Sequence, residues 1–231
     1  MPESAFSHLQ PALMQFLVEL DANNNRQWFS ENKARYEEDV REPCLDFIAA
    51  MAEPLAGFAP HFLAWPKKSG GSLMRIHRDV RFARDKRPYK TNVGIQFRHE
   101  SARDVHAPGY YLHIDPNQCF LGVGAWRPAA EPLYAIRQRI AEHPGEWATA
   151  IGGHKFKAHY KLGGDSLIRP PRGFDAEHPC IEDIKRKDFI AMTTLDPQML
   201  WRPGLVKHVA KHYRHATGFM KFLCTAANVP L

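Results

Sequence analysis

Between residues 72 and 126 apolar side chains alternate with polar ones, and this period of two constrains the fold more than any other feature of the chain. In "SLMRIHRDVRF", residues 72–82, the even positions Met74, Ile76, Val80 and Phe82 are apolar, whereas the odd positions Arg75, His77, Asp79 and Arg81 are polar. "TNVGIQFRH" repeats the pattern with Val93, Ile95 and Phe97 on one face. "GYYLHID" and "QCFLGVGAW" follow, joined by the turn-forming pair "PN". Four successive half-buried strands predict an antiparallel meander.

The flanks read as helices. Leu13, Phe16, Leu17 and Leu20 recur at helical spacing until "DANNN" interrupts them. Asn25 is placed to cap a second helix, in which Trp28, Phe29, Tyr36 and Val40 form an apolar stripe. After a bend or restart at Pro43, "LDFIAAMAEPLAGF" predicts a further helix closing at Gly57. Beyond the sheet, "EPLYAIRQRIAEHP" and "EWATAIGG" predict a helix and a shorter one. Lys155 to Pro179, rich in Gly and Pro, reads as a long loop packed by its own aromatics. "CIEDIKRK" suggests a helical turn or two, "DFIAMTTL" a fifth strand, and residues 198–227 one or two closing helices around Gly204 and Gly218.

The expected architecture is α+β: an antiparallel meander of about four to five strands mid-chain, flanked by N-terminal and C-terminal helices. A single domain covers residues 1–231, helical over 1–60, with the sheet over 72–126 and helices, a long loop and one further strand over 131–231. A hydrophobic content of 44% with 11% aromatics is enough for a packed core without staples. Cys44, Cys119, Cys180 and Cys224 lie far apart with no CxxC spacing, which suggests neither a zinc site nor a disulfide framework and fits a reduced, cytoplasmic setting. No run approaches the roughly 18 apolar residues of a membrane span. The N-terminal stretch, with Glu3 ahead of its apolar residues, lacks the pattern of a secretion signal.

Charge adds a second pattern to the first. "RIHRDVRFARDKRPYK", residues 75–90, holds five arginines and two lysines against two aspartates, so it carries +5 of the chain's +6. Charge this concentrated suits a small phosphorylated or carboxylated ligand at least as well as it suits nucleic acid. Strand side chains two apart lie about 6.6 Å from each other, so Arg75, His77, Asp79 and Arg81 would form a polar row about 20 Å long. Tyr111, His113 and Asp115 repeat that spacing on a later strand.

Arg75 and Arg81 are therefore candidates for anchoring an anion through their planar forks, and His77 and His113 for proton transfer, with Asp79 or Asp115 to orient them and Tyr111 beside them. Arg78 falls on the apolar side and needs a carboxylate such as Asp79, Asp85 or one from a helix. Gly122 and Gly124 share a face on which missing side chains would let a ligand approach the backbone.

Competing readings exist for the same residues. An exposed charged row is also what a wet sheet face with cross-strand ion pairs looks like, in which case the chain is a structural or interaction protein. The HxD pairs His77/Asp79 and His113/Asp115 are short and common, and no metal is assigned to them. His208, His212 and His215 share a helical face, but Lys207, Lys211 and Arg214 surround them and oppose a cation, so the helix is read as a solvated basic surface. With "FMKFL" behind it, that helix and the arginine patch form an alternative nucleic-acid surface. "GVGAW" lacks the third glycine of a dinucleotide fingerprint, and there is no Walker or GxSxG sequence, so no cofactor is assigned.

Arg75, Arg78, Asp79, Arg81, Phe82, Asp85, Lys86 and Tyr89 reproduce the pattern RxxRDxRFxx[DN]KxxY. In this, and in "NNRQWFSENKARYE", "APGYYLHI" and "RPPRGFDAEHP", the chain resembles the bacterial family catalogued as domain of unknown function 2461. Ala83, where serine is frequent, is a small departure. The resemblance implies a single domain of about this length and no particular activity. It also implies a grouping of the recurrent blocks, with Arg75, Arg81, Lys86, Tyr89, Tyr111, His113, Arg169, Arg172 and Asp175 in one candidate pocket.

Overall fold

Leu13, Phe16, Leu17 and Leu20 are all buried along one side of α1 (Pro11–Ala22) in the computed structural model of the chain, which describes residues 6–101 and 107–231. Residues 1–5, including the Glu3 of the leader argument, and 102–106, within the expected sheet region, lie outside the described residues. Asn25 caps α2 (Arg26–Glu31), its side-chain oxygen accepting from the Trp28 N–H at 2.9 Å. A single turn, α3 (Lys33–Arg35), runs through a π-helical stretch at Tyr36–Arg41 into α4 (Glu42–Ala56). Pro43 follows directly on the π-helical stretch, whose wider bonding, with the Glu42 N–H donating to the Glu37 carbonyl, carries the helix past a proline that has no N–H to give.

Among the described residues six strands make one antiparallel sheet: β1 (Phe62–Leu63), β2 (Val93–His99), β3 (Gly109–Ile114), β4 (Cys119–Ala125), β5 (Lys161–Gly163) and β6 (Phe189–Thr194), in the order β1-β2-β3-β4-β6-β5. The meander runs from β2 to β4, and "DFIAMTTL" supplies β6 as the alternation implies. Three elements differ from the sequence reading. β1 is too short for any period to reveal. The Lys155–Pro179 stretch is loop only in its later part, because it begins within α7 (His154–His159) and continues as β5 on the edge of β6.

The third difference lies in "SLMRIHRDVRF", which is not a regular strand. Leu73 bridges Ile95, with the Gln96 N–H donating to Ser72 O and the Met74 N–H to Gly94 O, and then the chain leaves the sheet. The Arg98–His99 end of the same edge is already taken by β1. Residues 76–90 instead close on themselves: the Arg78 N–H donates to Pro88 O and the Lys90 N–H to Ile76 O, both at 2.8 Å, around a bridge between His77 and Tyr89. Burial still alternates along this extended segment, with Arg75, His77, Asp79 and Arg81 exposed and Ile76 buried, but Phe82 is 95% exposed and belongs to no apolar face.

Directly paired residues share a face of the sheet. Ile95, Phe97, Tyr110, Leu112, Leu121 and Val123 form the buried face, on which Tyr213 of α9 (Leu205–His215) packs against Phe97 and Tyr110. Gly94, Tyr111, His113, Phe120 and Gly122 share the other face, whereas Gly124, at a positive φ, turns towards Phe189 and Phe219. Helices α5 (Ala130–Glu142), α6 (Pro144–Gly152) and α8 (Ile181–Ile184) complete the C-terminal part, together with a 3-10 turn at Pro197–Trp201 and α10 (Thr217–Ala226). At the junction of α6, β6 and α10 the fully buried Trp147 meets Phe189, Phe219 and Phe222.

This packing buries tyrosines deeply enough to set an alkaline limit on the fold. Burial pushes Tyr36 and Tyr111 up to about 12 and raises Tyr110, Tyr160 and Tyr213 as well, against an ordinary value of 10.0. Each ring holds its proton more tightly in the folded chain, so stability is intact below the unfolded value and is lost as pH rises above it towards the folded values. From about pH 7.5 the melting temperature should be level to about pH 9 and fall from about pH 10 upward. Most of the tyrosinate absorbance, beyond what the exposed Tyr134 can supply, should appear with the unfolding transition; appearance of that larger part well before unfolding would count against this assignment.

Candidate functional site

The arginine segment is held mainly by its own contacts. Arg78 donates to Asp85 at 2.7 Å, so the half-buried arginine has found one of its expected partners. Asp85 also accepts from Arg87, which reaches Asp21 on α1 at 2.6 Å. Arg81 grips Asp79 through two hydrogen bonds, 3.0 and 2.7 Å long, and these hold the Asp79 carboxyl down to about 2. Lys86 donates to the Val80 carbonyl at 3.0 Å and, more weakly, to that of Arg81. Tyr89 is buried, stacked on Phe29 at 4.1 Å, with its backbone clasped by the Asn24 side chain. Arg75 and Arg84 are exposed and make no ion pair among the described residues.

Tyr111 and His113 meet on the half-exposed sheet face, the Tyr111 hydroxyl 3.0 Å from His113 Nδ1. Burial raises the tyrosine to about 12 and lowers the histidine, so both are neutral near pH 7. His77 lies apart from them, its ring beside Phe29 and Tyr89. Asp115 is a turn residue whose carboxylate accepts from the Asn117 N–H at 2.8 Å. The two HxD pairs therefore do not converge: among the described residues the one group of three or more potential metal ligands is His159, His212 and His215. The glycines of this face also serve the fold. A Cβ at Gly94 would lie 2.8 Å from the Tyr111 hydroxyl, and one at Gly122 would touch Tyr111 and Phe120.

"RPPRGFD" docks elsewhere. Phe174 packs on Tyr134 of α5, and the following His178 approaches the Ala141 carbonyl of the same helix. Arg169, Arg172 and Asp175 are exposed. Among the described residues no hydrogen bond, ion pair or ring contact joins them to the arginine segment or to the Tyr111–His113 pair, so the blocks grouped by resemblance occupy separate places.

The C-terminal helix α9 organises a site that the charge count of residues 75–90 overshadows. Its buried row is Leu205, Val209, Ala210 and Tyr213. Lys207, Lys211 and Arg214 follow one helical row, and His208, His212 and His215 the next, displaced by a single residue. The basic row, with Lys155 of α7, Ala210 and His215, lines an open concavity of about 610 Å³ bounded on its other side by Glu53, Pro54 and Gly57 at the end of α4. None of these four cations makes an ion pair among the described residues, and Glu53 is the single acid in the lining. Arg214 lies over the Phe58 ring at 5.3 Å, near the C-terminal carbonyls of α4, where a cation is favoured.

The imidazole row faces α7. His159 lies 4.7 Å from His215 and 5.0 Å from His212, ring centre to ring centre, and His208 is 4.6 Å from His212. Burial, then the neighbouring imidazoles and Lys211, lower His212 to about 4. His208 is lowered by burial and Lys211, and His215 by burial, His159, Lys155 and Lys211. Lys155 and His159 were beyond sequence reasoning because they lie in the segment read as loop. The one-residue offset of the two rows on α9 was a signal that could have been used.

Fold and site together define an α+β protein with an open antiparallel sheet, a self-paired arginine segment and an unpaired basic cavity. The family described as a conserved hypothetical protein, DUF2461, matches residues 12–222, and the chain belongs to that family. No curated protein and no solved structure matches it. No helix among the described residues is long and apolar enough to cross a membrane.

Proposed function

We propose that the protein binds a small phosphorylated or carboxylated molecule in the cavity between α4, α7 and α9. One observation carries this reading: Lys155, Lys207, Lys211 and Arg214 line one concavity with no carboxylate paired to any of them. The arginines of residues 75–90 contrast with this, since Arg78, Arg81 and Arg87 already spend their forks on Asp85, Asp79 and Asp21. Cations convergent on a cavity and lacking carboxylate partners are the arrangement that an anionic group completes with charge-assisted hydrogen bonds.

The test is a calorimetric and thermal-shift screen with inorganic phosphate, pyrophosphate and phosphorylated or carboxylated metabolites at low ionic strength. A bound anion should raise the melting temperature. Lys207→Gln and Lys211→Gln should each weaken binding about tenfold, the usual scale for one charge-assisted contact. Arg75→Gln with Arg81→Gln should leave it unchanged. Loss of binding in the Arg75/Arg81 variant alone would return the site to the arginine segment. Strongly salt-dependent affinity for DNA or RNA, lost in the lysine variants, would replace the small ligand with nucleic acid. Absence of any anion response would defeat the reading.

A further inference from the structure

We propose that His159, His212 and His215 hold a transition-metal ion of the zinc class, bridging α7 and α9. Each residue offers a ring nitrogen, and the three nitrogens lie within 4.8 Å of one another. Nitrogens coordinated to zinc in a tetrahedron are ~3.4 Å apart, so small side-chain rotations bring these rings to ligand distance. Nδ1 of His212 and Nδ1 of His215 are buried without any hydrogen-bond partner, and no ring nitrogen of His159 or His208 makes a hydrogen bond among the described residues. Buried polar atoms are normally paired, and two orphan nitrogens within one imidazole cluster point to an ion or solvent that satisfies them.

The donor set selects the metal. Three imidazoles with no carboxylate among them suit zinc, copper, nickel or iron and exclude the oxygen-seeking magnesium and calcium. Three histidines also leave a fourth position for water or an anionic oxygen. The nearby lysines are the argument against a cation, yet Lys155 and Lys211 are both exposed, where solvent and salt screen them. They would also attract an anion to the fourth position, and His215 lines the basic cavity as well as belonging to the cluster. The metal site does not depend on the anion reading, because the ligands are the imidazoles alone.

The experiment is titration of the tag-free full chain with Zn²⁺ alone, read by competition with a chromogenic chelator, and with Co²⁺ read by its tetrahedral absorption. One ion per chain should bind, with no comparable response to Mg²⁺. His159 is exposed, so His159→Gln cannot disturb the core, and it should weaken Zn²⁺ binding by more than the roughly ten- to hundredfold that loss of an outer-shell partner costs. His215→Gln should do the same, while His143→Gln, in the α5–α6 turn outside the cluster, should not. Stoichiometric binding that persists in His159→Gln, or no stoichiometric binding by the folded chain, overturns the proposal. Zinc binding that survives Lys207→Gln and Lys211→Gln while anion binding fails separates the two sites.

Discussion

Gly124→Ala should destabilise the chain by about 3 kcal/mol or more, the combined scale of backbone strain at a left-handed residue and overpacking of a closed strand pair. Gly124 has φ +112°, and an added Cβ would lie 2.0 Å from the Phe189 carbonyl oxygen, a backbone atom fixed by the β4–β6 pairing, with Phe219 at 3.0 Å behind it. Gly122 stands two residues earlier on β4, and its Cβ would meet only Tyr111 and Phe120 side chains, at 3.6 to 3.8 Å. Gly122→Ala should therefore stay within about 1 kcal/mol of the parent, since it fills ordinary space and reduces the freedom of the unfolded chain. Urea unfolding of both variants decides the matter. Equal losses would mean that the positive φ is not what demands glycine at 124. The same pair tests the idea that these glycines open the backbone to a ligand, because space reserved for a ligand would make Gly122→Ala harmless to stability but costly to binding.

The fold was legible wherever an element was long enough to show its period. Leu13, Phe16, Leu17 and Leu20 announced α1, Val93 to Phe97 announced β2, and Asn25 marked a cap that the structure uses. The elements that stayed hidden were those whose formation depends on a partner. β1 and β5 have two and three residues and exist because β2 and β6 present open edges to them. "SLMRIHRDVRF" shows the converse: a period of two records an extended, one-sided chain, but not whether a neighbouring edge is free to pair with it. Its alternation of burial is real, and its strand is not.

The candidate site was legible in the same uneven way. Charge density along the sequence singled out residues 75–90, but density does not reveal pairing, and Asp79, Asp85 and Asp21 absorb much of that charge in three dimensions. The lysines of α9 are fewer and are spread at helical spacing, so they look like a solvated face; they stay exposed in the structure, and only the placing of α7 and the end of α4 makes them the lining of one concavity. Likewise, three histidines on one helix carried no chemistry until His159 arrived from a segment whose helix the glycines had masked.

Trp147→Ala should cost about 3–5 kcal/mol, the range for truncating a large buried aromatic, and it should also weaken the cavity and the imidazole cluster without touching either. Trp147 is 1% exposed, packs on Phe189, Phe219 and Phe222, and donates its indole N–H to Asp183 at 2.8 Å. It thereby fixes α6, which leads directly into α7 with Lys155 and His159, against α10, which follows directly on α9 with the other cations and histidines. Loosening that contact frees one wall of the site to move relative to the other. Trp147→Phe retains most of the ring packing and loses the hydrogen bond, while Asp183 keeps Arg186 at 2.9 Å, so this variant should lose much less stability. Denaturant unfolding gives the stability of both variants, and Zn²⁺ titration below their unfolding midpoints gives the coupling. Zinc affinity unchanged in a folded Trp147→Ala chain would show that α7 is positioned against α9 by their own contacts, such as Tyr160 donating to the His212 carbonyl at 3.1 Å, and not through the aromatic cluster beneath.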